Sequence, residues 1–245
     1  MKKIIITGFA LMITFSAALF SQDHVNKNIF RQLTEELPSP NSYRTASGHP
    51  GPDYFQQQVD YKMEITLDEN DKVISGVEMI TYYNNSPQTL TYLWLQLDQN
   101  IREPNSLGSK IAQSTMRNQE HISSIMRYNN HFEGGFRIES IRDAQDQALQ
   151  TVKNHTILKV LLSEGLAPGK KTELIIKWHY NLNNLRTQGG RSGYDPFENQ
   201  DESTFAIAQF YPRLCVYNDY GWQIKQFIGA EFALEFGNFD VTINA

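Results

Sequence analysis

From Val59 the chain alternates with a period of two: Val59, Tyr61, Met63, Ile65 and Leu67 stand against Asp60, Lys62, Glu64 and Thr66. Successive side chains of an extended backbone point to opposite faces, so this pattern predicts a half-buried strand. Acidic and amide residues from Asp68 to Lys72 supply a turn. A second strand follows, with Val77, Met79, Thr81 and Tyr83 on one side, and Asn84-Asn85-Ser86-Pro87 closes it. Leu90 to Leu97 is largely apolar on both faces, as in a strand covered on both sides. Consecutive strands on such short turns predict an antiparallel meander.

Strand signals return at Phe136–Ile141, Thr156–Leu162 and Thr172–Tyr180, with Gly165, Pro168 and Gly169 as the turn between the last two. Asn105 to Asn130 has few strand formers and reads as a long loop, with a helical turn near Ile122 to Met126. Near the end Phe232, Leu234 and Phe236 alternate, and Phe239, Val241 and Ile243 begin another strand. Many short strands with turn signals and almost no helix predict an all-β fold, an antiparallel sandwich or saddle-like β domain. No internal repeat or low-complexity linker interrupts it.

Ahead of this region, Lys2 and Lys3 precede an apolar run from Ile4 to Phe20 that ends in small residues around Ala17, Ala18 and Ser21. The expectation is an export signal over 1–21, cleaved near Ser21–Gln22. The run is interrupted and short of the ~20 apolar residues a membrane span needs, so no stable span is expected. Residues 22–56 read as an N-terminal extension, with a short helix over Asn28–Leu37 stopped by Pro38 and Pro40. Residues 57–245 form the β domain. Removing the signal takes away two lysines and leaves 20 basic residues against 27 acidic, a net charge of −7. With no basic run and no aromatic-interleaved basic patch, nucleic acid is not an expected partner. The single cysteine, Cys215, excludes an internal disulfide and reads as a buried apolar residue.

The six histidines are His24, His49, His121, His131, His155 and His179, and no two are four apart. A helix binds one zinc ion through residues i and i+4, so no zinc motif is present and no metal ligand is assigned. Asp143 and Asp146 sit among glutamines and read as a solvated turn. Glu198, Asp201 and Glu202 form an acidic cluster that suits an exposed loop, calcium or a substrate amine. Gly189-Gly190-Arg191-Ser192-Gly193-Tyr194 lacks the Lys-Ser/Thr pair of a phosphate loop. It predicts tight or flexible backbone, with Arg191 and Tyr194 as candidate cleft residues.

Residues 59–100, with 205–222 and 231–243, resemble the β-rich N-terminal domain of secreted bacterial zinc aminopeptidases related to aminopeptidase N. The resemblance is carried best by Ala208-Gln209-Phe210-Tyr211-Pro212 and by the Tyr-Leu-Trp-Leu-Gln-Leu run at 92–97. It implies a non-catalytic domain that forms one wall of the active-site cleft, packs on a downstream zinc catalytic domain and meets a peptide substrate. Zinc is then implied for the parent protein, and no cofactor or catalytic residue for this chain. Carried over residue by residue, it makes Gln209 and Tyr211 the substrate-binding pair for the peptide's α-amine. Tyr211 departs from the family's acid or amide, since a neutral phenol brings no charge to an ammonium group. Glu198 or Glu202 compensates, Gln209 suffices, or amine recognition differs. The alternative function is a free-standing secreted β-sandwich that binds carbohydrate or protein. Trp94, Trp178 and Trp222 permit it, although they lie within strand-like patterns.

Overall fold

The structure, a computed structural model, describes residues 40–111, 132–198, 202–229 and 233–245. The export signal, the helix over 28–37 and the helical turn near 122–126 fall outside these residues. So does Phe232.

The alternating segments form the larger sheet. β1 (Gln58–Asp68) and β2 (Val73–Tyr83) pair antiparallel from Gln58↔Tyr83 to Asp68↔Val73. Between them Asp68 Oδ1 accepts from the N–H groups of Asn70 and Asp71 at 2.9 Å each, as the acidic turn predicts. Here β7 (Lys171–Asn181) lies beside β2, β4 (Arg137–Asp143) beside β7, and β13 (Phe239–Asn244) runs parallel to β1, giving the order β13-β1-β2-β7-β4. The β2 face toward the core is Ile74, Gly76, Glu78, Ile80 and Tyr82, while Val77 on the opposite face is exposed.

The expected meander stops after two strands. β3 (Leu90–Gln96) leaves β2 and enters a second sheet of order β10-β3-β6-β5, with β5 (Thr151–Asn154), β6 (Ile157–Leu166) and β10 (Arg213–Leu214). Asn84 makes the crossing. Fully buried, it donates through Nδ2 to the carbonyls of Gln88 (2.7 Å) and Leu166 (2.9 Å), and its N–H reaches Lys170 O at 2.8 Å. Nor is β3 covered on both faces. Leu93 and Leu95 enter the core, whereas Tyr92 and Trp94 are half-buried on the other face beneath the Lys159 ammonium, 3.8 Å from the Tyr92 ring centre. Gly165 belongs to β6, and the turn itself is made at Gly169, with φ 69°.

One buried cluster draws on both sheets, with Met63, Ile65, Ile80, Tyr82, Ile176 and Trp178 from the first and Leu93, Leu95, Val160 and Leu214 from the second. This is the expected sandwich. Two ribbons flank it: β8 (Gly193–Pro196) with β9 (Ser203–Ala206), and β11 (Tyr217–Asn218) with β12 (Gly221–Trp222). Among the described residues, helix is confined to short turns at 98–102, 107–111 and 185–188. Among the described residues no helix is long and apolar enough to cross a membrane. Leu234 and Phe236 form no strand, and Phe236 makes only an isolated bridge to Gln58.

Candidate functional site

A 3-10 turn, Asp98–Arg102, directly follows β3 and holds three distant segments together. Its own placement is fixed by Asn100, which is fully buried. Asn100 donates through Nδ2 to His155 O (2.8 Å) and accepts at Oδ1 from Phe136 N–H (2.8 Å). From this anchor, Gln99 Nε2 donates to Ala208 O at 2.8 Å and Gln209 O at 3.2 Å. Arg102 donates to the carbonyls of Gly189 and Ser192, each at 3.4 Å. Asp98 is ion-paired with Arg213 of β10, and both side chains are almost wholly buried.

Between these segments lies a cavity of about 340 Å³, lined among others by Asp98, Arg102, Arg191, Gln209 and Phe227. The glycine-rich loop is one rim, and its backbone requires glycine. Gly189 and Gly190 have φ of 65° and 100°, and a Cβ at Gly190 would stand 2.2 Å from Arg102 Nη2. Gln209 also has a positive φ, 53°, which costs a non-glycine residue about 1–2 kcal/mol. The Gln99 amide, on both Ala208 and Gln209 carbonyls, holds it there.

The structure separates the sequence-predicted binding residues. Gln209 and Arg191 line the cavity. Tyr211 packs edge-on to Tyr61 (5.2 Å between ring centres) and against Phe239 (6.1 Å). Burial pushes its phenol up to about 12, so it stays neutral. Glu202 is exposed, next to the end of the β8–β9 ribbon where Ser203 pairs with Pro196. The opposite end, Gly193 beside Ala206, is the one nearer the cavity. Glu198 is exposed and ion-paired with Arg186 at 3.5 Å. Tyr194 lies outside the cavity too, its ring 5.3 Å from Lys72 Nζ.

The acid that does reach the cavity is Asp98, which sequence reasoning did not single out. Its only signal was position, a carboxylate straight after the apolar run ending at Leu97. Burial raises Asp98 to about 6 against the opposing pull of Arg213. Cys215 is buried and its thiol is pushed up to about 12 by burial, so it is no nucleophile. His179 pairs with Glu139 at 2.9 Å on a solvent-facing part of β7. Asp143 is a turn residue, its Oδ1 accepting from Gln145 and Gln147 N–H. Among the described residues no three His, Cys, Asp or Glu side chains converge to hold a metal ion. The zinc implied for a parent protein is given no ligand set among the described residues, and no chemical step is assigned to it.

No protein-family model matches the sequence, and no curated protein matches it. Among solved structures the chain is similar to an M1 zinc metallopeptidase from Deinococcus radiodurans, with a TM-score of 0.38 and 13% identity, covering 79% of this chain and 33% of that one. It is also similar to a mutant two-domain M1 zinc metallopeptidase bound to L-tryptophan (TM-score 0.38, 14% identity, 80% of this chain and 34% of that one). A third is a mutant of the Deinococcus radiodurans metallopeptidase bound to a Tyr-Ser-Ala substrate (TM-score 0.36, 12% identity, 80% and 34%). The chain spans about a third of the length of these solved chains.

Proposed function

We propose that this chain is the non-catalytic N-terminal domain of an exported zinc aminopeptidase, forming one wall of the cleft in which peptides are cut from their N-terminus. The observation that carries the reading is an apolar row left largely exposed beside the core. Phe239, Val241 and Ile243 of β13 lie beside Tyr61, Met63 and Ile65 of β1 in the parallel register. They therefore continue the core-facing side of the sheet. Yet the β1 residues are at most 5% exposed, and the β13 residues are 39–64% exposed. Phe236, at 74%, and Leu234 extend the uncovered patch. A core face left open in this way suits burial against another domain.

In this reading Gln209 accepts a hydrogen bond from the peptide's α-ammonium at the cavity rim, while Tyr211 and Glu202, which lie outside that cavity, are assigned to meet the substrate elsewhere along the cleft wall. Neutral Tyr211 shapes the wall and supplies no charge. Two of the three tryptophans that a carbohydrate-binding module would use are taken up by packing. Trp178 is wholly buried, and Trp222 packs on Tyr82 and Tyr217 with ring centres 6.0 and 5.0 Å away.

The direct test is to read the gene past the codon for Ala245. An in-frame His-Glu-x-x-His with a later Glu is the expected result, and a stop codon at that point overturns the proposal. A second expectation concerns the row itself. The triple substitution Phe239→Ser, Val241→Thr, Ile243→Ser should sharply reduce binding of a hydrophobic dye to the isolated chain. Its melting temperature should fall by only a few degrees, because these side chains are already substantially exposed. A variant that unfolds outright would show that the row is core, and the docking surface would be lost with it.

A further inference from the structure

The cavity beside Gln209 is more positive than its neighbourhood suggests. Two guanidinium groups line it, Arg102 and Arg191, against one carboxylate, Asp98. That carboxylate is already balanced by Arg213, whose side chain is 4% exposed. No carboxylate among the described residues pairs with Arg102 or Arg191. Arg102 Nη1 and Nη2 make long bonds to carbonyls, and its Nε is buried without a hydrogen-bond partner among the described residues. A buried charged donor left unmatched gains from any acceptor that reaches it. Gly190 packs directly on that guanidinium, where a Cβ would collide with Nη2, so the loop backbone holds the charge at the cavity rim. Ile101 and Phe227 supply apolar wall suited to a short methylene arm.

We propose that this cavity is a carboxylate subsite, taking the acidic side chain of a peptide whose N-terminal residue is Asp or Glu. The identification of the ligand as a peptide N-terminus rests on the function proposed above, whereas the anion site stands on the two arginines. Arg191, exposed on the rim, meets the carboxylate directly, and Arg102 adds its positive charge from behind the wall.

The test is titration of the folded chain with L-glutamate, L-glutamine, L-lysine and glutarate, followed by calorimetry or ligand-observed NMR. L-glutamate should bind about tenfold more tightly than L-glutamine, and Arg191→Gln should remove that difference while leaving L-glutamine unchanged. Equal binding of the two, preference for L-lysine, or no L-glutamate binding to a folded chain overturns the subsite. Glutarate separates this claim from the amine reading. If it binds as tightly as L-glutamate, the carboxylate subsite stands and Gln209 does not receive an amine.

Discussion

Trp178→Ala should destabilise the chain by about 3–5 kcal/mol, the range expected when a fully buried aromatic is cut back to a methyl group. Trp178 sits in β7 with neighbours on both sides, opposite Gly76 of β2 and Ile138 of β4, and has no exposed surface. Its indole stacks on Tyr180 at 6.0 Å and meets Phe136 edge-on at 5.5 Å. Room for it is made by Gly76, where a Cβ would stand 2.6 Å from Trp178 Cζ2 and 2.8 Å from Ile65 Cδ1. Alanine leaves a hole that this ring cluster cannot close without moving strands. Chemical denaturation followed by far-UV circular dichroism measures the loss, and the melting point should fall by roughly 10 °C. Trp178→Phe separates packing from polarity. The indole N–H has no partner among the described residues, so phenylalanine removes an unsatisfied donor and should cost clearly less than alanine. A loss below about 1 kcal/mol for the alanine variant would show that the sheets do not close on this ring.

How much of this was legible follows from where each signal lives. β1, β2 and β7 declare themselves because each has one wet and one dry face, and a two-residue period records that directly. Partners are not recorded. Leu90–Gln96 reads as a strand whichever sheet it joins, and its departure depends on the Asn84 side chain reaching Leu166, 82 residues away. β5, Thr-Val-Lys-Asn, is exposed throughout and carries no periodic signal. Strands β8 to β12 have two to four residues each, too short for any pattern.

The site divides in the same way. Gln209 was found by resemblance, and Arg191 by the glycines around it. Asp98, Gln99 and Arg102 were invisible because their partners are distant. The Gln99 bond to Ala208 spans 109 positions, and one polar residue among several after a strand announces nothing about it. Glu78 was hidden for the opposite reason. It occupies the core-facing side of β2, yet the eye follows Val77, Met79 and Thr81 on the other side.

Glu78→Gln should make the protein more stable than the parent at neutral and alkaline pH, with the difference vanishing near pH 4. Glu78 lies between Met63 of β1 and Ile176 of β7, has no exposed surface, and neither carboxyl oxygen has a hydrogen-bond partner among the described residues. Burial alone raises its pKa well above the ordinary range, because charging it removes a hydrated carboxylate from water without compensation. In the unfolded chain the same carboxyl titrates near 4.3. Above that pH the unfolded state has lost a proton that the folded state keeps. Stability therefore falls as pH rises, by up to about 1.4 kcal/mol per unit, until the folded carboxyl itself ionises. Glutamine cannot ionise and removes the slope. Other groups near this part of the core do not mimic the effect. Tyr61 and Tyr211 are held neutral by burial, and Asp98 beside Arg213, raised to about 6, titrates in both proteins and cancels in the difference. Urea unfolding of both proteins from pH 4 to pH 8 should give curves that meet at the acid end and diverge steadily above pH 5. Parallel curves would mean that Glu78 is ionised in the folded protein with a partner that stabilises its charge.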